Sequence, residues 1–197
     1  MLKNFTLFFL MTAVTSLAGA QSTILGLEFG SDYDEVFNAL SDRFGTLAVN
    51  KLDGEHIQVK DFEYSIEDVK VNNITLTFSY IDGEHHLASI SFTSEPYVLS
   101  YESDRNKIRD FDGYAVRISN KVALILNKKY KVTGVEKRID TSKPWTMLYK
   151  FNVDENVNGT IAAYFKATKK LMMQSGTSFA RLTYTDRRFA KKGIDEL

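Results

Sequence analysis

Apolar residues recur at the three-to-four-residue spacing of an amphipathic helix in two stretches of the chain. The first contains Val36 and Leu40, follows Ser31, which we predict as the N-cap, and ends at Gly45. Glycine there suits the left-handed conformation that closes many helices. The second runs from Ile118 to Tyr130. The pattern therefore predicts two helices.

Strict alternation of apolar and polar residues predicts strands with one buried side and one solvent-facing side. Four strand-like runs lie in the first half of the chain, around Val49, Ile57, Leu76 and Ile90, and the last two of them alternate strictly. Three more follow the second helix, at Met147–Val153, Thr160–Thr168 and Ser178–Thr185.

The order of helix and then strands occurs twice. Val36 matches Val122 at an offset of 86 residues, and Ile90 matches Leu182 at an offset of 92. Offsets that grow along the chain indicate loop insertions into a duplicated unit, although shared patterning alone gives a similar picture. We predict an α+β fold of two tandem helix-plus-antiparallel-meander units, residues 21–110 and 111–197, with the helices packed on one face of the sheet or sheets.

The N-terminus predicts an exported protein. Lys3 precedes an apolar run from Phe5 to Leu17, and Ala18-Gly19-Ala20 is a typical cleavage site. We predict a signal peptide over residues 1–20 and a periplasmic or secreted mature chain from about Gln21. No apolar run reaches the ~20 residues that span a bilayer, so we expect no membrane-spanning segment. The chain contains no cysteine, which leaves packing alone to stabilise it.

All three histidines lie in two Asp-Gly-Glu-His stretches, at residues 53–56 and 82–86. Such stretches are either metal ligands or hairpin turns, because Asp-Gly is a strong turn signal. We predict three-residue loops that place Val49 and Leu47 on the buried face in the first hairpin. In the second, the predicted loop is 81–83, with Leu76 opposite Ala88. Adjacent strand residues point to opposite faces, so the histidines do not converge and we predict no metal site.

The two halves carry opposite charge. Residues 21–110 contain 7 Lys or Arg and 17 Asp or Glu, and residues 111–197 contain 17 Lys or Arg and 8 Asp or Glu. Either the halves attract each other within one molecule, or the basic half meets an anionic partner, or copies of the chain self-associate through charge. Nucleic acid is disfavoured as a partner, because the chain is predicted to be exported and has no recognition motif.

The sequence contains no nucleophile elbow, phosphate loop or dinucleotide fingerprint, and no cofactor is predicted. Whether the protein is an enzyme stays open, with a non-catalytic role favoured. The alternative is an envelope hydrolase or carbohydrate-active protein that uses surface carboxylates, since two of the 25 acids could lie at catalytic separation.

The sheet face turned away from the helices is the more informative feature. Alternation in the last two strands, together with their match to the first half, leaves large side chains on that face, and Trp145, after Pro144, would border it. Aromatic residues and arginine dominate protein-contact hot spots. The other interpretation is that these aromatics are core, covered by the other half or by a loop. The candidate partner-binding residues are Tyr164, Phe179, Arg181, Lys166 and Trp145.

One stretch carries a family resemblance. Leu25-Gly26-Leu27-Glu28-Phe29-Gly30-Ser31-Asp32-Tyr33-Asp34-Glu35-Val36, followed by Phe44-Gly45, is similar to the helix entry of the SmpA/BamE outer-membrane assembly domains. One helix on an antiparallel sheet, used twice, resembles the β-lactamase inhibitor protein fold. The resemblance implies a non-catalytic module whose concave sheet binds another protein. The leading hypothesis is an exported binding module whose open sheet face contacts a protein or another envelope component.

Overall fold

The computed structural model describes residues 23–136, 143–170 and 173–190. The predicted signal peptide, residues 1–20, lies outside these ranges. None of the helices within them is long and apolar enough to cross a membrane. The elements are β1 (Thr23–Ile24), β2 (Leu27–Glu28), α1 (Tyr33–Phe44), β3 (Val49–Asp53), β4 (His56–Val59), β5 (Tyr64–Ile66), β6 (Val69–Ile81), β7 (Glu84–Ser94), β8 (Tyr97–Glu102), α2 (Arg105–Leu126), β9 (Thr133–Gly134), β10 (Trp145–Asn152), β11 (Val157–Lys170) and β12 (Met173–Asp186).

Helix α1 agrees with the sequence pattern except at its cap. Asp32, and not Ser31, is the N-cap, since its carboxylate accepts the backbone N–H of Asp34 at 2.8 Å. An ionised cap next to the positive end of the helix dipole is favourable. Gly45 ends the helix with φ 89°, which confirms the predicted stop.

Helix α2 is longer than predicted. It starts at Arg105, with the side chain of Asp104 accepting the backbone N–H of Asn106 at 2.8 Å, and it stops at Leu126, before Tyr130. Its first turns are rich in polar residues, which hid the helical period from the apolar pattern. The residue pair 110/111, at which the sequence was divided, lies inside this helix.

The predicted α+β fold of two tandem helix-plus-meander units is wrong. The chain is mostly β: ten of its strands form one antiparallel sheet, and β1 and β2 form a separate two-stranded sheet. The order of strands in this sheet of ten is β3-β4-β6-β7-β12-β11-β10-β9, with β5 alongside β6 and β8 alongside β12. The two halves of the chain meet where β7 pairs with β12, from Thr93↔Arg181 to Ser89↔Thr185. The physical reason is that two separate sheets would leave two edges with unpaired N–H and C=O groups, which their pairing satisfies.

The hairpin between β6 and β7 corrects a register prediction. Asp82 and Gly83 both have positive φ, 53° and 94°, so they form a two-residue loop and not the predicted three-residue one. A bulge next to Phe78 then brings Leu76 opposite Ile90 and not Ala88. In the first hairpin Val49 pairs with Val59 as a buried pair, whereas Leu47 is 97% exposed, so its predicted burial is wrong.

Both helices pack on the same face of the sheet. Val36 and Leu40 of α1 and Val122 of α2 belong to one apolar cluster with Ile74 and Ile161, which come from opposite halves of the sheet. Neither helix lies on the other face, which we call the open face. The architecture thus places one core under both helices and leaves a broad strand surface on the opposite side.

Candidate binding face

Side chains on the open face line up in rows, because residues opposite each other in antiparallel strands share a face. The aromatic row consists of Trp145, Tyr164 and Phe179, on β10, β11 and β12. The next two rows cross more strands. The arginine row is Met147, Ala162, Arg181, Thr93 and Asn73, and the polar row is Lys150, Thr160, Thr183, Ser91, Thr75, Gln58 and Asn50.

The aromatic row is a single cluster. Tyr164 and Phe179 stack with ring centroids 4.6 Å apart and an interplanar angle of 16°. Trp145 meets both rings edge-on, at 4.9 Å from Tyr164 and 5.5 Å from Phe179. Such pairs contribute about 0.5–1.5 kcal/mol each beyond the area they bury. All three side chains remain partly exposed, so the cluster is held rigid by its own contacts while it still faces outward.

Arg181 completes this cluster from the neighbouring row. Its guanidinium carbon lies 4.2 Å from the centroid of the Trp145 ring, a cation–π contact. Burial lowers the pKa of Arg181 from its usual value, because desolvation disfavours the charged form. Arg181 forms no ion pair with any residue of the described ranges. We call Trp145, Tyr164, Phe179 and Arg181 together the aromatic–arginine cluster.

The arginine row contains buried polar atoms without hydrogen-bond partners. They are Nε of Arg181, Oγ1 of Thr93 and Oδ1 of Asn73, on three adjacent strands. The Asn73 amide nitrogen donates to Thr75 at 3.3 Å, but its oxygen accepts nothing. A buried polar group left unsatisfied costs about 1–3 kcal/mol. Three such atoms therefore lie in succession beneath the surface, next to the aromatic–arginine cluster.

The polar row makes the centre of the open face hydrophilic. Ser91 and Thr183 are hydrogen-bonded through their hydroxyls at 2.9 Å, across the β7–β12 junction. The row contains only polar or basic side chains. Hydroxyl and amide groups on a flat strand surface favour polar contacts at the edge of an apolar anchor, as in the rim of a protein interface.

The charge of these rows of the open face is positive. The aromatic, arginine and polar rows carry Arg181 and Lys150 and no carboxylate, and Lys166 lies in the adjoining row with Thr177. Some of the opposite charges of the two halves form ion pairs with each other on the helix side of the sheet. There Lys128 of α2 bonds to Glu67 at 2.8 Å and Lys121 bonds to Asp68 at 2.5 Å. The cations of the open face have no such partners within the described ranges.

The structure brings together four of the five residues singled out from the sequence. The rings of Trp145, Tyr164 and Phe179 contact one another, and Arg181 lies over Trp145. Lys166 is exposed one row away. The interpretation of the aromatics as fully covered core does not fit their partial exposure. Strict alternation from Ile90 would place Leu87 on the open face, but Leu87 lies in the core, because the bulge in the β6–β7 pairing turns it inward.

Sequence reasoning missed three contributors to this face. Thr93 and Asn73 were overlooked because the pairing of β7 with β12, which places them next to Arg181, has no local signature. Val98 of β8 is 62% exposed and lies in the row of Thr177 and Lys166. The alternation of Val98 with buried Leu99 is too short to predict a strand from sequence.

The histidines occupy separate surroundings. Nδ1 of His56 lies 2.9 Å from Asp53, and Nδ1 of His86 lies 2.9 Å from the carbonyl oxygen of Gly30. The His85 ring packs against Tyr80 at 5.0 Å. Among the residues that the structure describes, no three His, Asp or Glu side chains are grouped as metal ligands.

Comparison with known proteins adds no family assignment. No protein-family model matches the chain, and neither the curated proteins nor the solved structures searched contain a significant match.

Proposed function

We propose that this chain is an exported, non-catalytic binding module that uses its open sheet face to hold a protein partner. The observation that carries the proposal is the aromatic–arginine cluster. Large rigid side chains lose little conformational entropy on binding and bury much area, which is why Trp, Tyr and Arg dominate binding hot spots. The similarity of the α1 entry to the SmpA/BamE domains supports the same proposal, as does the secretory character of residues 1–20.

The cluster lies where an interface core is expected. The polar row flanks it on one side, and exposed Lys166 and Val98 lie on the other. Protein interfaces combine a desolvated aromatic centre with a polar, hydrated rim. A partner seated over Trp145 would meet an apolar anchor first and hydroxyl groups around it. The open face has the composition of such an interface.

A covalent block of the open face tests the proposal. The chain lacks cysteine, so one introduced thiol is a unique attachment point. Ala162 lies on the open face between Met147 and Arg181, and Leu124 is 72% exposed on α2. The variants Ala162→Cys and Leu124→Cys would each be assayed for partner capture from envelope and culture-medium extracts, before and after coupling to a bulky maleimide.

The proposal predicts that only labelled Ala162→Cys loses the captured protein. Unlabelled Ala162→Cys and labelled Leu124→Cys retain it, because the first keeps the face free and the second carries the same label on the helix side. Equal capture by both labelled variants would place the partner elsewhere and overturn the proposal.

A further inference from the structure

Arg181 is a partly desolvated cation without a counter-ion among the described residues. Its guanidinium stacks on Trp145, and its Nε is buried without a hydrogen-bond partner. No described carboxylate forms an ion pair with it. A buried charge is costly unless it is paired, so this arrangement gains most from a ligand that brings the opposite charge. This inference rests on the proposed function and specifies the chemistry of the partner.

We propose that the open face recognises an acidic segment of its partner, with Arg181 binding an Asp or Glu carboxylate against the face of Trp145. The planar guanidinium matches a carboxylate with two parallel hydrogen bonds, and such charge-assisted pairs are about twice as strong as neutral ones. The contact with the indole restricts the movement of the guanidinium before the ligand arrives. The stacked rings of Tyr164 and Phe179 then take an apolar side chain of the same segment.

The arginine row continues from Arg181 into two further polar side chains. Thr93 Oγ1 and Asn73 Oδ1 have no partner, and they follow Arg181 on the next two strands. The Asn73 oxygen accepts a hydrogen bond, and the Thr93 hydroxyl donates or accepts one. Both atoms lie below the accessible surface, so the contacts of a bound segment come from Arg181 and the partly exposed rings. The occupant is thus a segment of polypeptide whose acidic side chain reaches Arg181.

The wider charge of the face favours the same occupant. Lys150 and Lys166 lie in the rows on the two sides of the cluster, and the aromatic, arginine and polar rows contain no acidic side chain. Cations arranged around a partly desolvated site attract an acidic segment and raise its association rate, more strongly at low ionic strength. An acidic partner is therefore favoured both at long range and in contact.

The test uses peptides selected from a random peptide library on the immobilised chain. Trp145 is the only tryptophan, so its fluorescence reports occupation of the cluster directly. We expect the selected peptides to be enriched in Asp or Glu next to an aromatic or aliphatic residue. Replacing that acid by its amide in the best peptide should weaken binding about tenfold or more, and Arg181→Gln should remove most of the difference between acid and amide.

Ala162 offers a matched pair of variants that keep Arg181 itself. It lies directly opposite Arg181 across the β11–β12 pair, so Ala162→Glu places a carboxylate next to the guanidinium within the chain, whereas Ala162→Gln adds the same bulk without charge. We expect Ala162→Glu to lose acidic-peptide binding and Ala162→Gln to retain it within a few-fold. Equal loss in both variants would mean that bulk and not charge excludes the peptide, which would contradict the proposal.

The outcomes separate this inference from the proposed function. Peptide binding that depends on Tyr164 but tolerates Arg181→Gln would overturn acidic recognition and leave the binding face intact. Peptides that bind without either side chain would overturn both. Selection of no peptide would overturn the acidic segment if another occupant is found. Salt-sensitive dimerisation of the chain would identify that occupant as a second copy, and binding of acidic glycans that depends on Arg181 would identify it as a sugar.

Discussion

The double variant Tyr164→Ala plus Arg181→Ala should lose its protein partner almost completely. The two substitutions remove one ring of the stacked pair and the cation above Trp145, which are the anchors of the proposed interface. Hot-spot residues contribute about 2 kcal/mol or more each, so the expected loss in affinity is about a thousandfold. Calorimetric titration with the captured partner measures it.

A matched control removes the same residue types elsewhere. Tyr80 is 59% exposed and packs on His85, and Arg109 lies exposed on α2, both away from the aromatic–arginine cluster. Tyr80→Ala plus Arg109→Ala should bind within about threefold of the unaltered chain, because surface substitutions outside a hot spot are nearly neutral. Equal weakening in the two double variants would show that the cluster has no special role.

The substitution Ile90→Ala should destabilise the whole chain by about 2–5 kcal/mol. Ile90 is fully buried, and it lies opposite Leu76 on one side and Tyr184 on the other, at the junction of the two halves of the sheet. Because one sheet and one core link both halves, we expect a single unfolding transition that shifts as a unit in urea. Far-ultraviolet circular dichroism and Trp145 fluorescence should report the same midpoint.

Separate units would behave differently. Trp145 lies in the second half, so its fluorescence would keep the original midpoint while circular dichroism showed a second, earlier transition. Leu124→Ala, at a position 72% exposed on α2, provides the control and should change the stability by no more than about 0.5 kcal/mol. A biphasic transition in Ile90→Ala would contradict the single-sheet account.

The parts of the fold that could be predicted from the sequence are those set by interactions between residues close together in the chain. The period of Val36 and Leu40 and the glycine at residue 45 located α1, and alternation located the long strands, because these signals act within a few residues. The pairing of β7 with β12 joins residues about 92 positions apart, such as Ser91 and Thr183, and leaves no local trace. The two strands pair because this satisfies the backbone N–H and C=O groups that would otherwise be exposed at their edges.

The candidate site was predictable to the same extent. Alternation placed Tyr164, Phe179 and Arg181 on one face, since they belong to neighbouring strands joined by a single connection. To predict the contact between Arg181 and Trp145, the position of the third strand, β10, has to be known. To predict that Thr93 lies next to Arg181, the pairing of β7 with β12 has to be known. Leu87 breaks the alternation, because a bulge shifts the strand register without a sequence signature.

The central claim is that a protein partner covers the open face, and hydroxyl-radical footprinting of the complex tests it most directly. Exposed aromatic and sulfur-containing side chains report their own accessibility. The account predicts that Trp145, Tyr164, Phe179 and Met147 become protected in the complex, while Leu124, on the helix side, keeps its reactivity. Protection of Leu124 with unchanged labelling of Trp145 would place the partner on the helices and contradict the account.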